Sequence, residues 1–312
     1  MRCAFFSIVV PTFARTALLA RCLASLAALD YPRDRYEVIV VNDGGASIEV
    51  ESAVSRAAGG ARVTVVHRAH AGPAAARNAG VAASRGDALA FIDDDCLADR
   101  SWLSAMAARL AQTPAAVLGG RVVNALEENA YARASQLLLA YVYRYYHEEG
   151  RGTLRFFTTN NLAMLARTFA TVGPFDERFR LACEDRDWCD RCLYANVPLV
   201  YAPEAVVHHA HALTLSTFVN QHRRYGEGAH RFHQTRAERR GEHVRVEPFG
   251  FYLGMLKMPF ALRDPQPLRM ALLLTTTQVA STVGFVWATL RASSRRGVGE
   301  LGRSPIDPGI RR

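Results

Sequence analysis

The chain has 312 residues, of which half are hydrophobic, and a formal net charge of +9 at pH 7. This length can bury a full core and this composition excludes a disordered chain, so we expect one large domain with an appendage. The charge is unevenly placed, because residues 1–213 carry 22 Arg against 22 Asp and Glu, whereas residues 214–312 carry 16 Lys and Arg against 7. The last third therefore suits an anionic partner, either a membrane surface or nucleic acid.

The six cysteines follow no framework of a small secreted protein, and the apolar run at the start is too short for a signal peptide. Both features predict a reducing cytoplasm. Cys189 and Cys192 form a C-x-x-C motif, but no second pair or suitably spaced histidine completes a zinc site.

Four apolar runs rich in β-branched residues predict buried strands: AFFSIVV (4–10), YEVIVV (36–41), ARVTVV (61–66) and ALAFI (88–92). Their apolarity is continuous rather than alternating, which is typical of parallel strands covered on both faces. Helical stretches such as TALLARCLASLAAL and AAARNAGVAASR connect them, as in βαβ units. The pattern predicts an α/β nucleotide-binding fold.

Ligands of open parallel sheets bind beyond the carboxyl ends of the strands. Polar or turn-forming residues follow three of the predicted strands at that end. They are Pro11 and Thr12 after the first, Asn42 and Asp43 after the second, and Asp93, Asp94 and Asp95 after the fourth.

The three consecutive aspartates are the most informative of these residues. Adjacent carboxylates at a strand end are unfavourable unless a cation or a hydrogen-bonding ligand compensates them. Asp93 and Asp95 point to the same side of an extended chain and can share a divalent cation. Asp43 can accept hydrogen bonds from a base or a ribose. The alternatives are a solvated acidic loop for the triplet and an ordinary turn residue for Asp43.

Five segments occur in an order and spacing that resemble the family 2 glycosyltransferases of the GT-A fold: SIVVPTFAR, VIVVNDGG, GPAAARNAGVAASRGDALAFIDDDC, VGPFDERF and EDRDWCDR. The resemblance covers roughly residues 5–228. It implies a GT-A nucleotide-diphospho-sugar transferase fold, an α/β fold with a mostly parallel sheet and flanking helices. We expect a catalytic domain over 1–228, a C-terminal helical, partly hydrophobic, membrane-associated extension over 229–292 and a flexible basic tail over 293–312.

The resemblance also implies roles for residues around the donor. Thr12 and Asp43, with Pro11 beside them, would hold the nucleotide base, and Arg77 would be the cation that faces the nucleotide. Asp93 and Asp94 would complete the nucleotide site, and Asn161, in TTNNLAML, would line the sugar site. The family often has Asn where this chain has Ala14.

A metal site and a catalytic pair are implied in the same way. Asp95 and Asp93 would hold Mn²⁺ or Mg²⁺ with a histidine from VVHHAHALT, for which His209 is the best match and His208 and His211 are alternatives. A histidine triplet at a plain surface is the competing interpretation.

Glu184 and Asp185 match the acidic pair of the family, in which the aspartate is the catalytic base. A carboxylate can take the proton of an acceptor hydroxyl as its oxygen attacks the anomeric carbon, with inversion at that carbon. The alternative is a helix N-terminus that simply carries acids.

The segment QHRRYGEG (221–228) resembles the Tyr-Gly-x-Gly region of the family and nearly matches the Q-x-x-R-W signature of processive synthases, with Tyr225 in place of Trp. The chain has no room for a multi-span channel, so we expect transfer of a single sugar. A non-catalytic sugar-nucleotide or RNA-binding module with a basic tail is the alternative function. The strands lack the exposed aromatic residues of RNA readers, so no nucleic-acid partner is expected.

Residues 270–290 carry no charge and are long enough as a helix to cross a bilayer. Arginines flank both ends, so a single pass is disfavoured, and residues 249–262 could pair with this run as a re-entrant hairpin or lie in the interface. An ordinary packing helix is the alternative. We expect a protein on the cytoplasmic face of the membrane, acting on a glycan or lipid-linked sugar in the synthesis of cell-envelope polysaccharides.

Overall fold

The structure is a computed structural model that describes residues 4–57, 59–151, 155–241 and 246–301. Within these residues, eight strands form one sheet. In chain order they are β1 (Phe6–Thr12), β2 (Tyr36–Asp43), β3 (Val63–Arg68), β4 (Ala88–Phe91), β5 (Cys96–Ala98), β6 (Val117–Asn124), β7 (Leu162–Leu165) and β8 (Leu199–His209).

The strand order in the sheet is β3-β2-β1-β4-β7-β6-β8-β5. The first four strands of this order are parallel, as the four apolar runs predicted, whereas β7 is antiparallel to both β4 and β6. Alternate residues of β1 enter two different apolar clusters, with Ile8 and Val10 on one face and Val9 on the other. The continuous apolar pattern therefore reflects a sheet that is covered on both sides.

Seven helices flank the sheet before the C-terminal region: α1 (Thr16–Ala27), α2 (Ser47–Ala57), α3 (Pro73–Ala82), α4 (Trp102–Gln112), α5 (Ala130–Tyr143), α6 (Ala166–Val172) and α7 (Glu184–Tyr194). A single π turn, Arg144–Glu148, continues α5, and short 3₁₀ turns occupy Arg33–Arg35 and Thr159–Asn161. The fold is a GT-A-like α/β fold, as the sequence predicted.

The pairing of β8 contains one irregularity that matters for the site. In its parallel ladder with β6, Gly120 pairs with Ala202, but the next residue, Arg121, pairs with Val206. Residues 203–205 therefore form a bulge. Beyond the bulge, β5 pairs antiparallel with β8 and places Cys96 opposite His209. This register brings the end of β8 against the last aspartate of the acidic triplet.

Three helices follow the sheet: α8 (Leu215–Arg240), α9 (Phe249–Ala261) and α10 (Pro267–Leu301). A capping box of Thr214 and Thr217 begins α8, and this helix continues through residue 228, where we expected a domain boundary. α9 packs on α5 through Phe251, whose carbonyl oxygen accepts a hydrogen bond from the Tyr141 hydroxyl.

The backbones of α8 and α10 cross at two glycines. A Cβ atom on Gly226 would overlap the carbonyl oxygen of Ser281, and a Cβ atom on Gly284 would overlap that of Arg223. Such close approach is possible because glycine has no side chain. One face of α10 is thereby buried on α8.

The opposite face of α10 is exposed and apolar. Residues Pro267–Ser293 are long enough to cross a membrane, and their most apolar window has a mean hydropathy of 1.3, but a third of that window is buried. We call the exposed large apolar residues of α10 the α10 stripe: Leu268, Leu272, Val279, Val283, Val286, Trp287 and Leu290. The helix continues to Leu301, within the segment expected to be flexible, and residues 302–312 lie outside the described residues.

Candidate active site

The residues expected to bind a nucleotide meet at the carboxyl ends of β1, β2 and β4. Pro11 pairs with Val41 near the end of β1, and Thr12, which ends this strand, is buried. The Thr12 hydroxyl donates a hydrogen bond of 2.7 Å to Asp94 Oδ2, which joins the first loop to the acidic triplet. The edge of the sheet therefore forms one continuous polar site, as its topology predicts.

Asp43 lies at one end of this site and is only 4% exposed. Its carboxylate accepts hydrogen bonds from the backbone N–H groups of Ala71 and Gly72, the latter at 2.8 Å. His70 Nδ1 lies 2.9 Å from the same carboxylate, and the His70 ring stacks on Phe13 with 4.3 Å between the ring centroids. Asp43 is thus a buried acceptor beside an exposed aromatic pair rather than a solvated turn residue.

Asp94 is the innermost member of the triplet and is fully buried. Arg15 NH2 lies 2.6 Å from Asp94 Oδ1, and Arg15 NH1 donates to Asp95 Oδ2 at 2.7 Å. The first of these contacts lacks hydrogen-bond alignment, so Asp94 Oδ1 is a buried oxygen that accepts no hydrogen bond. Burial raises the pKa of Asp94 to about 7, although the Arg15 charge opposes the shift. The compensation of this carboxylate is incomplete.

Arg77 connects the acidic triplet to the predicted catalytic pair. Its guanidinium is buried, and its NH2 group donates to Asp93 Oδ1 at 2.6 Å while NH1 donates to Glu184 Oε1 at 2.8 Å. Asp93 is therefore the triplet member that contacts Arg77. One fixed cation thus joins the donor side of the site to the start of α7.

Glu184 and Asp185 form the first turn of α7. The helix follows Cys183, which adopts a left-handed conformation with φ of 73° and turns the chain sharply into the site. Burial, followed by the nearby charge of Asp185, raises the pKa of Glu184 to about 7. Burial also raises the pKa of Asp185, against a hydrogen bond from the backbone N–H of Arg186. A carboxylate with a raised pKa is a stronger proton acceptor than a solvated one.

Buried ion pairs hold the body of α7 against the end of α8. Asp187 and Asp190 are 1% and 4% exposed, and Arg239 bonds to both. Arg191 and the hydroxyl of Thr235 complete the shell of Asp187. Each carboxylate is compensated, so the helix that carries Glu184 and Asp185 has a fixed position.

A second group of side chains could bind a metal ion. Asp95, His209 and His211 offer one ligand atom each, and these atoms lie within 4.8 Å of one another. His209 Nε2 is 3.4 Å from Asp95 Oδ1, whereas His208 faces away and pairs with Asp99 at 2.9 Å. One carboxylate and two imidazoles form a donor set that suits a divalent first-row metal. The unaligned Asp94 oxygen nearby indicates that a further positive charge would be accommodated, so these residues fit a divalent cation.

Asn161, which we expected beside the sugar, has a different environment. Its side chain is fully buried, and its amide group donates to the carbonyl oxygens of Arg121 and Ala205 at 2.9 and 3.0 Å. Its Oδ1 atom accepts a hydrogen bond from the indole N–H of Trp102 at 2.8 Å. Both N–H bonds of the amide group and its oxygen are thus engaged within the protein. The side chain therefore braces the bulge of β8 and has no polar atom left for a sugar.

The sequence interpretation missed three residues of the site: Phe13, Arg15 and His70. All three lie in loops near a predicted residue: Phe13 and Arg15 are one and three positions after Thr12, and His70 lies in the loop that covers Asp43. Their placement depends on backbone turns such as that at Ala14, whose φ is 52°. An arginine three residues after the Pro-Thr pair and a histidine two residues before the Gly-Pro pair were visible signals, but neither indicates a direction for its side chain.

Comparison with known proteins agrees with the geometry. Residues 7–172, a little over half of the chain, match the profile of the family described as Glycosyl transferase family 2. The pre-mycofactocin glycosyltransferase of Mycobacterium tuberculosis (strain CDC 1551 / Oshkosh) is 31% identical over 228 residues, which cover 72% of this chain and 46% of that protein. Glycosyltransferase AglE of Haloferax volcanii is 26% identical over 206 residues, 65% of this chain and 66% of its own length.

Among solved structures, the mannosyltransferase PcManGT from Pyrobaculum calidifontis, in complex with GDP-Man and Mn²⁺, has a similar fold. The TM-score is 0.59 at 19% sequence identity, over 96% of this chain and 80% of that chain. The similarity to this structure concerns the fold. The chain spans about half the length of the mycobacterial relative that it matches.

Proposed function

The chain belongs to glycosyl transferase family 2, and from that premise we propose that it moves a single sugar from a nucleotide-diphospho-sugar to a hydroxyl group of an acceptor, with inversion at the anomeric carbon. The observation that carries the proposal is the position of Arg77, which bonds both to Asp93 and to Glu184. A buried cation between these two acids supports a donor site next to a proton acceptor, as sugar transfer requires.

In the proposed reaction, Asp185 accepts the proton of the acceptor hydroxyl while the hydroxyl oxygen forms a bond to the anomeric carbon. The bond between that carbon and the diphosphate oxygen breaks, and the nucleoside diphosphate leaves with the bonding electrons. Glu184 stays bound to Arg77 and keeps its charge away from the acceptor oxygen. Attack from the face opposite the leaving group inverts the anomeric carbon.

Asp43, buried and held by backbone N–H groups, is the proposed acceptor for a base or ribose N–H or O–H group. The exposed Phe13 and His70 rings beside it offer an apolar surface for the base. Thr12 supports this side of the site through its hydrogen bond to Asp94.

Asp95, His209 and His211 would hold a divalent cation, which when bound would neutralise the charge that develops on the departing diphosphate. Two imidazoles among three protein ligands favour Mn²⁺ over Mg²⁺, because Mg²⁺ prefers oxygen ligands. We therefore propose Mn²⁺ as the first cofactor to test. GDP-mannose, named with Mn²⁺ in the structure of the archaeal mannosyltransferase, belongs in the first panel of donors.

We also propose that the protein works at the cytoplasmic face of a membrane on a lipid-linked or glycan acceptor of the cell envelope. The α10 stripe supports this, because its seven exposed apolar residues lie along one side of the helix. Lys257, Arg263 and Arg269 lie on or beside α9 and the start of α10, where they can contact anionic headgroups. The burial of the opposite face on α8 favours a helix lying in the interface over one that crosses the bilayer.

The activity test uses purified protein with a panel of nucleotide sugars, with and without Mn²⁺ and chelator, and measures release of nucleoside diphosphate and transfer to an acceptor. We expect Asp185→Asn to abolish transfer while donor affinity stays nearly unchanged, since the change removes a proton acceptor but little volume. Asp99→Asn, which alters an exposed acid paired with His208, is the matched control.

Retention of more than about a tenth of wild-type turnover by Asp185→Asn would exclude the base role, because a general base typically contributes at least 100-fold. A wild-type protein that binds nucleotide sugars but neither hydrolyses nor transfers them would instead support the alternative, a non-catalytic sugar-nucleotide-binding module.

The membrane test compares wild type with Leu272→Gln and Val279→Gln combined, using liposomes that contain anionic lipid at low salt. Each exposed apolar side chain contributes on the order of 1.5 kcal/mol when buried in lipid, so the double variant should bind on the order of 100-fold more weakly. Ile48→Gln changes an equally exposed apolar residue on α2, far from the stripe in sequence, and should bind as wild type does. Wild-type protein that ignores such liposomes would remove the support for a membrane acceptor.

A further inference from the structure

The acidic triplet has two arginine partners with different freedom. The Arg77 side chain is 4% exposed and bonds at both ends, to Asp93 and to Glu184. The Arg15 side chain is 42% exposed and reaches Asp94 and Asp95 from the loop before α1. Arg77 is therefore a fixed part of the site, whereas Arg15 can swing toward solvent or a ligand without breaking other protein contacts.

The contacts of Arg15 with Asp94 and Asp95 are ion pairs that another cation could replace. Its NH2 group is 2.6 Å from Asp94 Oδ1 but makes no aligned hydrogen bond there. The hydrogen bond from the Thr12 hydroxyl to Asp94 uses the other carboxylate oxygen, Oδ2, and does not involve Arg15. Departure of Arg15 would thus leave the carboxylates in place and remove only a charge.

The carboxylate that Arg15 contacts is also part of the candidate metal site. Arg15 NH1 lies 2.7 Å from Asp95 Oδ2, while Asp95 Oδ1 faces His209 at 3.4 Å. His211 Nδ1 is 3.8 Å from Asp95 Oδ2, the oxygen that Arg15 occupies. A guanidinium and a divalent cation on one carboxylate repel each other at short range. Each must therefore weaken the binding of the other.

We propose that Arg15 is an internal counter-ion of the donor site, which competes with the divalent cation for Asp95 and is transferred to the diphosphate when the donor binds. A guanidinium pairs with phosphate oxygens through two parallel N–H groups. By linkage, a diphosphate that draws Arg15 away strengthens metal binding, and the metal strengthens diphosphate binding equally. The inference rests on the proposed donor and metal site and adds a residue that makes the two ligands bind together.

The test is titration calorimetry of Mn²⁺ alone, and of Mn²⁺ with saturating GDP or UDP, into wild type, Arg15→Gln, Arg15→Lys and the control Arg21→Gln. Arg21 is an exposed arginine of α1 with no acidic partner among the described contacts. Without nucleotide, Arg15→Gln should bind Mn²⁺ roughly 10-fold more tightly than wild type, a coupling of ordinary size. The strengthening of Mn²⁺ binding by nucleoside diphosphate should be smaller in this variant than in wild type.

Arg15→Lys keeps the charge but lacks the two parallel N–H groups that pair with a phosphate, so its Mn²⁺ affinity without nucleotide should lie near that of wild type. The increase in its Mn²⁺ affinity on addition of nucleoside diphosphate should be smaller than in wild type. Thermal melting of all variants in chelator verifies that they fold. Unchanged or weaker Mn²⁺ binding by Arg15→Gln would overturn the inference and leave the proposed sugar transfer intact. If Arg15→Gln binds Mn²⁺ more tightly than wild type but the wild-type protein transfers no sugar, the inference is supported and the proposed function is refuted. Absence of Mn²⁺ binding in every variant would overturn the inference and the proposed Mn²⁺ site, and would leave the proposed sugar transfer to the activity test.

Discussion

The crossing of α8 and α10 can be tested with one methyl group. In Gly226→Ala, the new Cβ atom would overlap the carbonyl oxygen of Ser281. It would lie 2.7 Å from the carbonyl carbon of Ser281 and 2.9 Å from the backbone nitrogen of Phe285. Carbon atoms pack at about 3.5 to 4.0 Å, so the two backbones must separate by roughly 1 Å. Backbone atoms cannot rotate aside as a flexible side chain can.

The expected loss of stability follows from these distances. Overpacking costs about 1 to 3 kcal/mol in a well-packed core, and we expect the upper end here because the obstruction is backbone. The better helix propensity of alanine returns up to about 1 kcal/mol. A net loss of about 2 kcal/mol should lower the melting temperature by roughly 3 °C in a chain of 312 residues, measured by circular dichroism or differential scanning calorimetry.

Gly250→Ala is the matched control, because this glycine of α9 has nothing within 4 Å of its added Cβ atom. It should melt at or slightly above the wild-type temperature, since only the propensity gain remains. If Gly226→Ala melts like Gly250→Ala, the helices do not meet as described. α10 would then be independent of the catalytic domain, as a membrane-spanning segment would be.

Three further measurements examine the site. The pKa of Asp185 is raised by burial, so the base is lost to protonation as pH falls through that raised pKa. Turnover should therefore decline on the acid side at a pH above the pKa of an ordinary aspartate, and an acid limb at or below pH 3.8 would contradict this. His209→Ala should weaken Mn²⁺ binding by more than about 10-fold, whereas His208→Ala, which changes the histidine that faces Asp99, should not; equal effects would reject the assignment. Arg239→Met removes a cation that pairs with the buried carboxylates of Asp187 and Asp190. Chemical denaturation should show a loss of about 3 kcal/mol in the free energy of unfolding, whereas the control Arg231→Met, at an exposed arginine of α8, should show no change.

Much of the fold could be predicted from local sequence. The four parallel strands were predicted within two residues of their observed bounds, because a strand that is buried on both faces must be apolar throughout. The acidic triplet was placed correctly for the same reason, since the carboxyl ends of such strands meet at one edge. These inferences needed no information from distant parts of the chain.

Arg15 and Asn161 show what local sequence could not supply. The direction of Arg15 depends on the turn at Ala14, and that of Asn161 on Trp102, which is 59 residues away. The sequence of α10 fits both a helix in a bilayer and a helix packed on the protein. The glycines at the crossing of α8 and α10 indicate packing. A glycine in a helix is ambiguous in sequence, since it can be a weak point or a contact.

The bulge of β8 has a consequence for comparing this chain with its relatives. Side chains alternate along a strand. Whether the number of residues between Ala202, which pairs with Gly120, and the end of β8 is odd or even therefore decides which histidine faces Asp95. Adding or removing one residue within 203–205 would exchange His208 for His209 at the site, while a change of two would preserve the arrangement. A relative whose histidine is displaced by one position in an alignment can therefore present the same ligand, provided that its bulge differs by one residue as well.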